Sequence, residues 1–142
     1  MNVHLTVKGE PKAQKRHRSG SRNGKSYTYD PSSSDKADFL VLMHNSAPKS
    51  PLQGPISLLC KFHCTRPKAH FKTGKNAGQL KPTAPIWCQT RPDIDNYLKF
   101  IMDCANKILF NDDSQVVKVE MSKTYSISPR VEIYLEELDN IG

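Results

Sequence analysis

The sequence predicts an α+β domain in which two main helices pack on a largely antiparallel or mixed β-sheet. Four short segments alternate apolar and polar residues, as strands with one buried face do. Two longer segments carry apolar residues at helical spacing. The predicted order of elements is β-α-β-α-β-β, which is typical of a sheet with its helices on one face.

The first third of the chain is predicted to hold a strand, a long loop and a helix. Val3, Leu5 and Val7 alternate with polar residues and predict the strand. The next stretch, "KGEPKAQKRHRSGSRNGKSYTYDPSSS", is basic and rich in Gly, Ser and Pro, which predicts a long loop. Cap candidates precede an apolar run that Pro48 stops, so a helix is predicted from about Ser34 to Asn45.

The segment "GPISLLCKFHC" predicts a second strand and raises the question of a zinc site. Cys60, His63 and Cys64 have the residue types of zinc ligands. In a strand, however, both cysteines face the core and His63 faces away from it. No second ligand cluster follows at zinc-finger spacing. We therefore expect buried thiols here.

Residues 65–90, "TRPKAHFKTGKNAGQLKPTAPIWCQT", predict a second basic loop before the clearest helix of the chain. In this loop Phe71 or Trp87 is expected either to stack on a nucleobase or to pack against the protein. The helix has Pro92 near its start and Thr90 or Asp93 as its cap. Its apolar positions, spaced i, i+4, i+7 over four turns, are Ile94, Leu98, Ile101, Ala105 and Ile108, with Leu109 beside them.

Two strands are predicted at the end of the chain. They are "QVVKVEMSKTYS" and "RVEIYLEEL", with a turn at "ISP" between them. The residues expected to share one face are Val117, Val119 and Met121 in the first strand, and Val131, Ile133 and Leu135 in the second.

Length and composition indicate a single globular domain over residues 1–142. No apolar run approaches the roughly 20 residues that cross a bilayer, so no membrane partner is expected. The opening "MNVHLTVKG" is too short and polar for a signal peptide. We expect a cytoplasmic protein whose four cysteines are reduced.

The net charge of +7 is unevenly distributed. Residues 8–25 carry seven basic side chains against one acid, and residues 61–81 carry six basic side chains and no acid. Residues 82–142, in contrast, hold six basic and ten acidic residues. Solvated loops are one interpretation of the basic segments. The other is a cationic surface that binds a polyanion such as DNA around an acidic centre.

The acids of residues 93–113 suggest a metal centre. A cap and first-turn acids explain Asp93 and Asp95. They do not explain Asp112 and Asp113, which meet the negative end of the same helix dipole. Mg²⁺ prefers such oxygen ligands, and Lys99, four residues after Asp95, would hold a phosphate or stabilise developing charge. On this hypothesis one divalent cation accounts for the acids at both ends of the segment.

The stretch "DIDNYLKFIMDCANKILFNDDSQV" resembles the RusA family of Holliday junction resolvases. The family pattern runs D-x-D-N-x-x-K, then D-x-x-N, then D-D-x-Q-V. The matching residues are Asp93, Asp95, Asn96, Lys99, Asp103, Asn106, Asp112, Asp113, Gln115 and Val116. "VKGEPKAQKRHR", "SYTYDP" and "KTYSISPRVEIYLEEL" resemble the family more loosely, whereas the basic loop 65–81 does not align. The resemblance implies a RusA-like nuclease domain.

The resemblance also implies an activity and residue roles. The family resolves four-way DNA junctions in recombination and repair, as homodimers with Mg²⁺, by paired symmetric nicks. It implies that Asp93, Asp95 and Asp113 are catalytic and hold the metal, and that Lys99 is the catalytic lysine. The turn after the helix must then fold Asp113 back towards Asp93 and Asp95. Asp103 and Asp112 are expected to support them. The residues expected to bind DNA are Lys12, Lys15, Arg16, Arg18, Lys68, Lys72 and Arg91.

Two other functions and several dimer interfaces remain open on the sequence. The chain could be a non-catalytic module that binds branched DNA, or a nuclease for other branched or flapped DNA. A two-fold dimer would supply two related active sites for two nicks. The candidate interfaces are Phe39, Leu42 and Met43, Phe110, or a strand edge, and each has an equally good explanation in the core.

Overall fold

A four-stranded mixed sheet forms the centre of the computed structural model, which describes residues 2–141. The elements in chain order are β1 (Asn2–Lys8), β2 (Arg18–Arg22), β3 (Lys25–Tyr29), α1 (Ser33–His44), β4 (Ile56–Thr65), α2 (Ile94–Ala105), β5 (Val116–Ser126) and β6 (Arg130–Glu137). The sheet order is β1-β6-β4-β5. β6 pairs antiparallel with β1 and β4, and β5 pairs parallel with β4. The predicted α+β class is confirmed.

The long loop predicted after the first strand contains a β-hairpin that we did not predict. β2 and β3 pair antiparallel as a separate two-stranded sheet. The turn is Asn23-Gly24, with φ of 53° and 75°. Positive φ at both positions is what a tight two-residue hairpin turn requires, and Asn-Gly adopts it readily. The prediction of an irregular loop is therefore wrong for residues 18–29.

One face of the four-stranded sheet carries the core and both main helices. Along β4 the buried side chains alternate from Ile56 to Cys64, as predicted. His63 lies on the opposite face, where its Nε2 is 2.6 Å from Glu132. Burial raises the pKa of Cys60 to about 12 and that of Cys64 to about 11, so both are neutral thiols at neutral pH. The cysteines and the histidine therefore do not converge on one point.

The predicted second helix is shorter than expected, and its buried face is different. α2 ends at Ala105, because Asn106 turns to an extended ψ of 130° and Lys107 has a φ of 71°. Ile108 and Leu109 therefore lie in the following turn rather than in a fourth helical turn.

The large aromatic side chains of α2 explain the change of face. Tyr97 stacks on Phe62 with ring centroids 4.9 Å apart, and Phe100 meets Phe39 of α1 edge to face at 5.6 Å. These rings fill the space between α2, the sheet and α1. As a result Ile94 and Leu98, which we expected in the core, are only partly buried.

The first helix matches the prediction within one residue at each end, but only part of its apolar surface is buried. Phe39 and Met43 lie in the core, whereas Val41 and Leu42 are exposed. Phe110 is also fully buried. Three of the side chains considered for a dimer interface are thus occupied in the core of one chain.

β5 is an edge strand, and its apolar residues do not all face the core. Val117 is 63% exposed and Val119 is 37% exposed, so the apolar face expected from the alternation is not buried at these two residues. The pairing with β4 shifts register between Ile56 and Ser57, which leaves Val117 as an extra residue. In the described part of the chain, no helix is long and apolar enough to span a membrane.

Candidate active site

The entrance of α2 presents two carboxylates to solvent. Asp93 occupies the N-cap position with extended backbone, and its carbonyl accepts the first helical bonds from Asn96 and Tyr97. Its side chain, however, makes no capping hydrogen bond. Asp95 follows in the first turn, and both residues are exposed. Because the Asp93 carboxylate does not cap the helix, its oxygens are available to an external ligand.

Lys99 lies one turn further along the same exposed stripe. Its Nζ is 3.8 Å from Asp95 Oδ2, and both side chains are mostly exposed. An exposed i, i+4 pair of this kind contributes only a few tenths of a kcal/mol to stability. The main effect of the pair is therefore to hold the Lys99 ammonium group beside the two carboxylates.

The first basic segment is attached directly to this stripe. The Gln14 N–H donates to the Asn96 carbonyl at 2.9 Å, and the Lys15 N–H donates to Ser32 Oγ at 2.9 Å. An open groove between the segment and α2 is lined by Gln14, Lys15, Arg16, His17, Lys99 and Asp103. Basic side chains of residues 14–17 therefore share one groove with Lys99.

A second set of contacts, centred on Asp30 and Lys36, holds the first basic segment against α1 and α2. Lys36 of α1 bridges Asp30 at 2.6 Å and Asp103 of α2 at 3.0 Å. Asp30 also accepts hydrogen bonds from the Ser32 N–H and the Gln14 side chain. The hydrogen bond from Lys36, with these two, lowers the pKa of Asp30 to about 2. Asp103 thus braces α2 against α1, and the supporting role in catalysis expected for it stays a prediction.

The second basic segment reaches the same end of α2 through β5. Arg66 lies over the Tyr125 ring at 5.6 Å and donates to the Pro85 carbonyl at 2.8 Å. His70 meets Tyr125 edge to face. Lys123, two residues earlier in β5, donates to the carbonyls of Thr90 and Pro92 at 2.6 Å each. Residues 65–85 are therefore packed beside the chain that leads into Asp93.

The residues predicted to bind DNA are mostly exposed. Exposed side chains among them are Lys12, Lys15, Arg16, Arg18, Lys68 and Arg91, and Lys72 is half-buried. Sequence reasoning missed Gln14, Lys36 and Lys123, which position the segments. Nothing in the local sequence distinguishes these three from ordinary surface residues, because their partners are distant in the chain.

The two aspartates after α2 have different surroundings. Asp112 accepts hydrogen bonds from the N–H and the hydroxyl of Ser114, which lower its pKa, and its own N–H donates to Gln115. Gln115 also donates to the carbonyls of Leu52 and Gly54 at 3.0 Å. Asp112 therefore caps the short 3₁₀ turn Asp113–Gln115. Asp113 is exposed and makes no side-chain hydrogen bond within residues 2–141.

Asp113 does not meet Asp93 and Asp95 within one chain. It precedes Val116, where β5 begins, whereas Asp93 adjoins Lys123, seven residues along that strand. At ~3.3 Å per residue, the two ends are about 23 Å apart. Within residues 2–141, no three His, Cys, Asp or Glu side chains are grouped so that they could hold a metal ion. The expectation that the turn folds Asp113 back onto the other two is therefore wrong for a single chain.

Comparisons with known proteins agree with the sequence motif. The model of the family described as endodeoxyribonuclease RusA matches residues 8–136. An uncharacterized protein, YqaN, of Bacillus subtilis (strain 168) is 37% identical over 143 residues, which is 96% of each chain. The crossover junction endodeoxyribonuclease rusA of Lactococcus phage r1t is 38% identical over 53 residues, which cover 37% of this chain and 40% of that protein. The chain belongs to the RusA family of endodeoxyribonucleases.

Proposed function

We propose that this protein is a Mg²⁺-dependent, structure-selective endodeoxyribonuclease that resolves four-way DNA junctions by paired, symmetric nicks. Family membership supports a junction-cleaving nuclease in general terms. The observation that carries the proposal is the exposed group Asp93, Asp95 and Lys99, which two basic segments flank. Acids that only stabilise a helix end do not need basic segments on both sides of them.

The basic segments would bind the DNA backbone. Lysine and arginine neutralise phosphates and release their counterions, so binding should weaken steeply with salt. The segments are held in place by contacts to α2 and β5, through Gln14, Lys36 and Lys123. A junction bound between them would have its backbone close to Lys99.

The donor set fits a hard divalent cation. Asp93 and Asp95 offer carboxylate oxygens that are not used in capping, and Mg²⁺ is commonly held by one or two carboxylates with water and phosphate as the other ligands. When bound, such an ion neutralises the phosphate and activates water. Lys99 would orient the scissile phosphate through its ammonium group and stabilise negative charge on the phosphate oxygens in the transition state.

A homodimer would bring Asp113 to this site. Asp113 lies before the start of β5, about 23 Å along the strand from Lys123, which contacts the chain next to Asp93. In a two-fold dimer that runs two β5 strands in opposite directions, the Asp113 end of one copy lies beside the Asp93 end of the other. Such a dimer also carries two sites, as two symmetric nicks require. We therefore propose that Asp113 acts across the dimer interface.

The direct test is cleavage of a synthetic four-way junction with Mg²⁺ and with EDTA. We expect paired nicks that need the metal. Asp95→Asn should abolish nicking while keeping junction binding, since it removes a negative charge near phosphate. Asp139→Asn, the same change at an exposed aspartate outside the site, is the matched control. Tight binding without nicking by the unaltered protein would indicate a binding module, and equal rates on flapped DNA a broader nuclease.

Mixing inactive variants tests the shared site. If Asp113 acts across the interface, a heterodimer of Asp95→Asn and Asp113→Asn chains contains one site with both aspartates and one with neither. The mixture should then recover single nicks, although each parent is inactive. If all residues act within one chain, both sites of the heterodimer are damaged and the mixture stays inactive.

A further inference from the structure

The β2–β3 hairpin stands clear of the hydrophobic core. All five residues of β3 are exposed, and Gly20 is the one partly buried residue of β2. Within the described chain, residues 2–141, none of the positions 18–29 belongs to the core cluster. Burial in the core therefore does not account for the side chains of this hairpin.

The two faces of the hairpin differ in chemistry. Residues that face each other across an antiparallel pair share a face, and successive residues alternate between faces. One face carries only hydroxyl groups, which belong to Ser19, Ser21, Ser26 and Thr28. The other, which we call the aromatic face, carries the side chains of Arg18, Arg22, Lys25, Tyr27 and Tyr29 around Gly20.

The two tyrosine rings are held side by side and are open to solvent. Their centroids are 5.9 Å apart, and Tyr27 and Tyr29 are 49% and 44% exposed. Gly20 lies opposite Tyr27, and a Cβ at Gly20 would come within 2.5 Å of the Tyr27 ring. The lack of a side chain at Gly20 therefore lets the Tyr27 ring rest against the neighbouring strand. Two rings placed in this way offer open aromatic surface to a flat ligand.

The charge around these rings suits a nucleic acid. Residues 18–29 contain three basic side chains and no acidic one. Within residues 2–141, Arg18, Arg22 and Lys25 form no ion pair. Proteins that bind unpaired nucleic acid combine cations that contact phosphates with aromatic rings that stack on bases. The aromatic face has both components.

The root of the hairpin adjoins the candidate active site. Asp30 follows β3, and its carboxylate accepts a hydrogen bond of 2.8 Å from the Gln14 side chain, which ties the two ends of the hairpin segment together. Lys36 joins Asp30 to Asp103, one helical turn after Lys99. From this root, the five residues of β2 extend about 16 Å at ~3.3 Å per residue. DNA bound in the groove at Lys99 would therefore pass within reach of the hairpin.

We propose that Tyr27 and Tyr29 stack on bases that border the branch point of a DNA junction, and that this contact makes the protein prefer branched DNA to linear duplex. The inference rests on the proposed function and names residues that select its substrate. In a linear duplex each base is stacked between neighbours, so a ring reaches the face of a base only after the bases are unstacked. Base pairs at a branch point lack a neighbour on one side and offer that face without this cost. The cations of the hairpin contact phosphates in either DNA and give no such preference.

Replacing both tyrosines by valine tests the proposal, because valine favours a strand but has no ring. Dissociation constants are measured in EDTA, where the proposed nicking does not occur, for a synthetic four-way junction and for a linear duplex of the same arm sequence. Tyr27→Val with Tyr29→Val should weaken junction binding about 10- to 100-fold and change duplex binding less than about twofold. Tyr27→Phe with Tyr29→Phe keeps both rings and should bind like the unaltered protein. Equal losses on both DNAs, or no loss on the junction, would overturn the proposal.

Two control variants separate the rings from the rest of the hairpin. Ser19→Val with Thr28→Val, on the hydroxyl face, should leave both dissociation constants unchanged; loss of the junction preference in this variant would show that the rings are not its source. Arg22→Gln with Lys25→Gln should weaken binding of both DNAs equally. It should also reduce the slope of log affinity against log salt concentration by about 2. If this variant lost affinity for the junction alone, the preference would reside in the charges and the proposal would be wrong.

A fluorescent reporter detects the stacking directly. Trp87 is the one tryptophan of the sequence. Trp87→Phe combined with Tyr29→Trp therefore places a single indole on the aromatic face. Stacking on a base quenches indole emission, so saturating junction should quench it and saturating duplex should not. Unchanged emission with the junction, or equal quenching by both DNAs, would contradict the proposal.

These measurements separate the role of the hairpin from catalysis. If the tyrosines set the preference for junctions but the unaltered protein nicks none in Mg²⁺, the inference stands and the proposed nuclease activity fails. If the unaltered protein nicks junctions, and the valine variant binds and nicks them equally well, the proposed function stands and the inference fails.

Discussion

The ion bridge beneath the first basic segment leads to a quantitative prediction about stability and pH. Asp30 lies 2.6 Å from Lys36, and this contact, together with hydrogen bonds from Ser32 and Gln14, lowers its pKa from 3.8 to about 2. This shift in pKa corresponds to about 2 kcal/mol by which the folded protein favours the charged form of Asp30 over the neutral form. The Asp30 side chain is 21% exposed, so solvent screening reduces the expected contribution to about 1–2 kcal/mol.

Asp30→Asn should therefore lower the free energy of unfolding by about 1–2 kcal/mol at neutral pH. The pKa of Asp30 is depressed in the folded state, so its contribution is fully present above the unfolded pKa and is lost as the pH falls through the folded pKa. The difference between the two proteins should consequently shrink as the pH is lowered from about 4 towards about 2. Urea denaturation at a series of pH values measures it, with an unchanged m-value as the check that unfolding exposes the same surface.

The control is Asp139→Asn, which makes the same charge change at an exposed position. It should alter stability little at any pH in this range. NMR titration of the Asp30 carboxyl group measures its pKa directly. A stability difference that is independent of pH, or an Asp30 pKa near 3.8, would show that the bridge to Lys36 does not stabilise the charged form.

Two further predictions concern the site and the core. Lys99→Met should slow junction nicking by about 10²-fold under single-turnover conditions, because it removes charge stabilisation at the phosphate and leaves most of the binding surface intact. If the variant loses more junction affinity than nicking rate, Lys99 is a binding residue instead. Phe100→Ala should lower the free energy of unfolding by about 3–5 kcal/mol in urea denaturation, because its ring is fully buried against Phe39. Val41→Ala on the exposed side of α1 should cost far less, and equal losses would contradict the assignment of the core face.

The parts of the fold that the sequence predicted are those in which local patterning and tertiary burial agree. β4 lies in the interior of the sheet, so its alternation from Ile56 to Cys64 maps directly onto one buried face. β5 has a similar pattern, but it lies at the edge, where Val117 and Val119 reach solvent. Alternation indicates a strand; it does not indicate which strands are covered.

Helix periodicity had a comparable limit. The spacing of aliphatic residues predicted α2, but the aromatic rings of Tyr97 and Phe100 decided which side is buried, since they have matching partners in Phe62 and Phe39. The end of α2 at Ala105 depends on the conformations of Asn106 and Lys107. The apolar spacing continues to Ile108 and Leu109, so the spacing does not indicate that the helix ends at Ala105. The β2–β3 hairpin, in contrast, had an Asn-Gly signal that the basic, polar composition of the segment concealed.

The candidate site likewise combines residues that are close in sequence with one residue whose position depends on distant parts of the fold. Asp93, Asp95 and Lys99 are close in sequence on a helix, so their proximity is a local property that spacing alone predicts. The position of Asp113 relative to them depends on the length and direction of β5. A fixed spacing between motif residues therefore identifies members of one site without showing whether one chain or two supply them.

The two aspartates after α2 differ in how far turn structure explains them. Asp112 has a local structural role, because it caps the turn that holds Gln115 against the carbonyls of Leu52 and Gly54. Because α2 ends at Ala105, neither aspartate lies at the negative end of its dipole, and the expectation that they do is wrong. Asp113 has no such contact within residues 2–141, and its carboxylate is exposed at the start of the Asp113–Gln115 turn. An exposed carboxylate with no partner in its own chain is free to act on a group outside it, and the homodimer proposed above would place that group at the Asp93 end of the second copy.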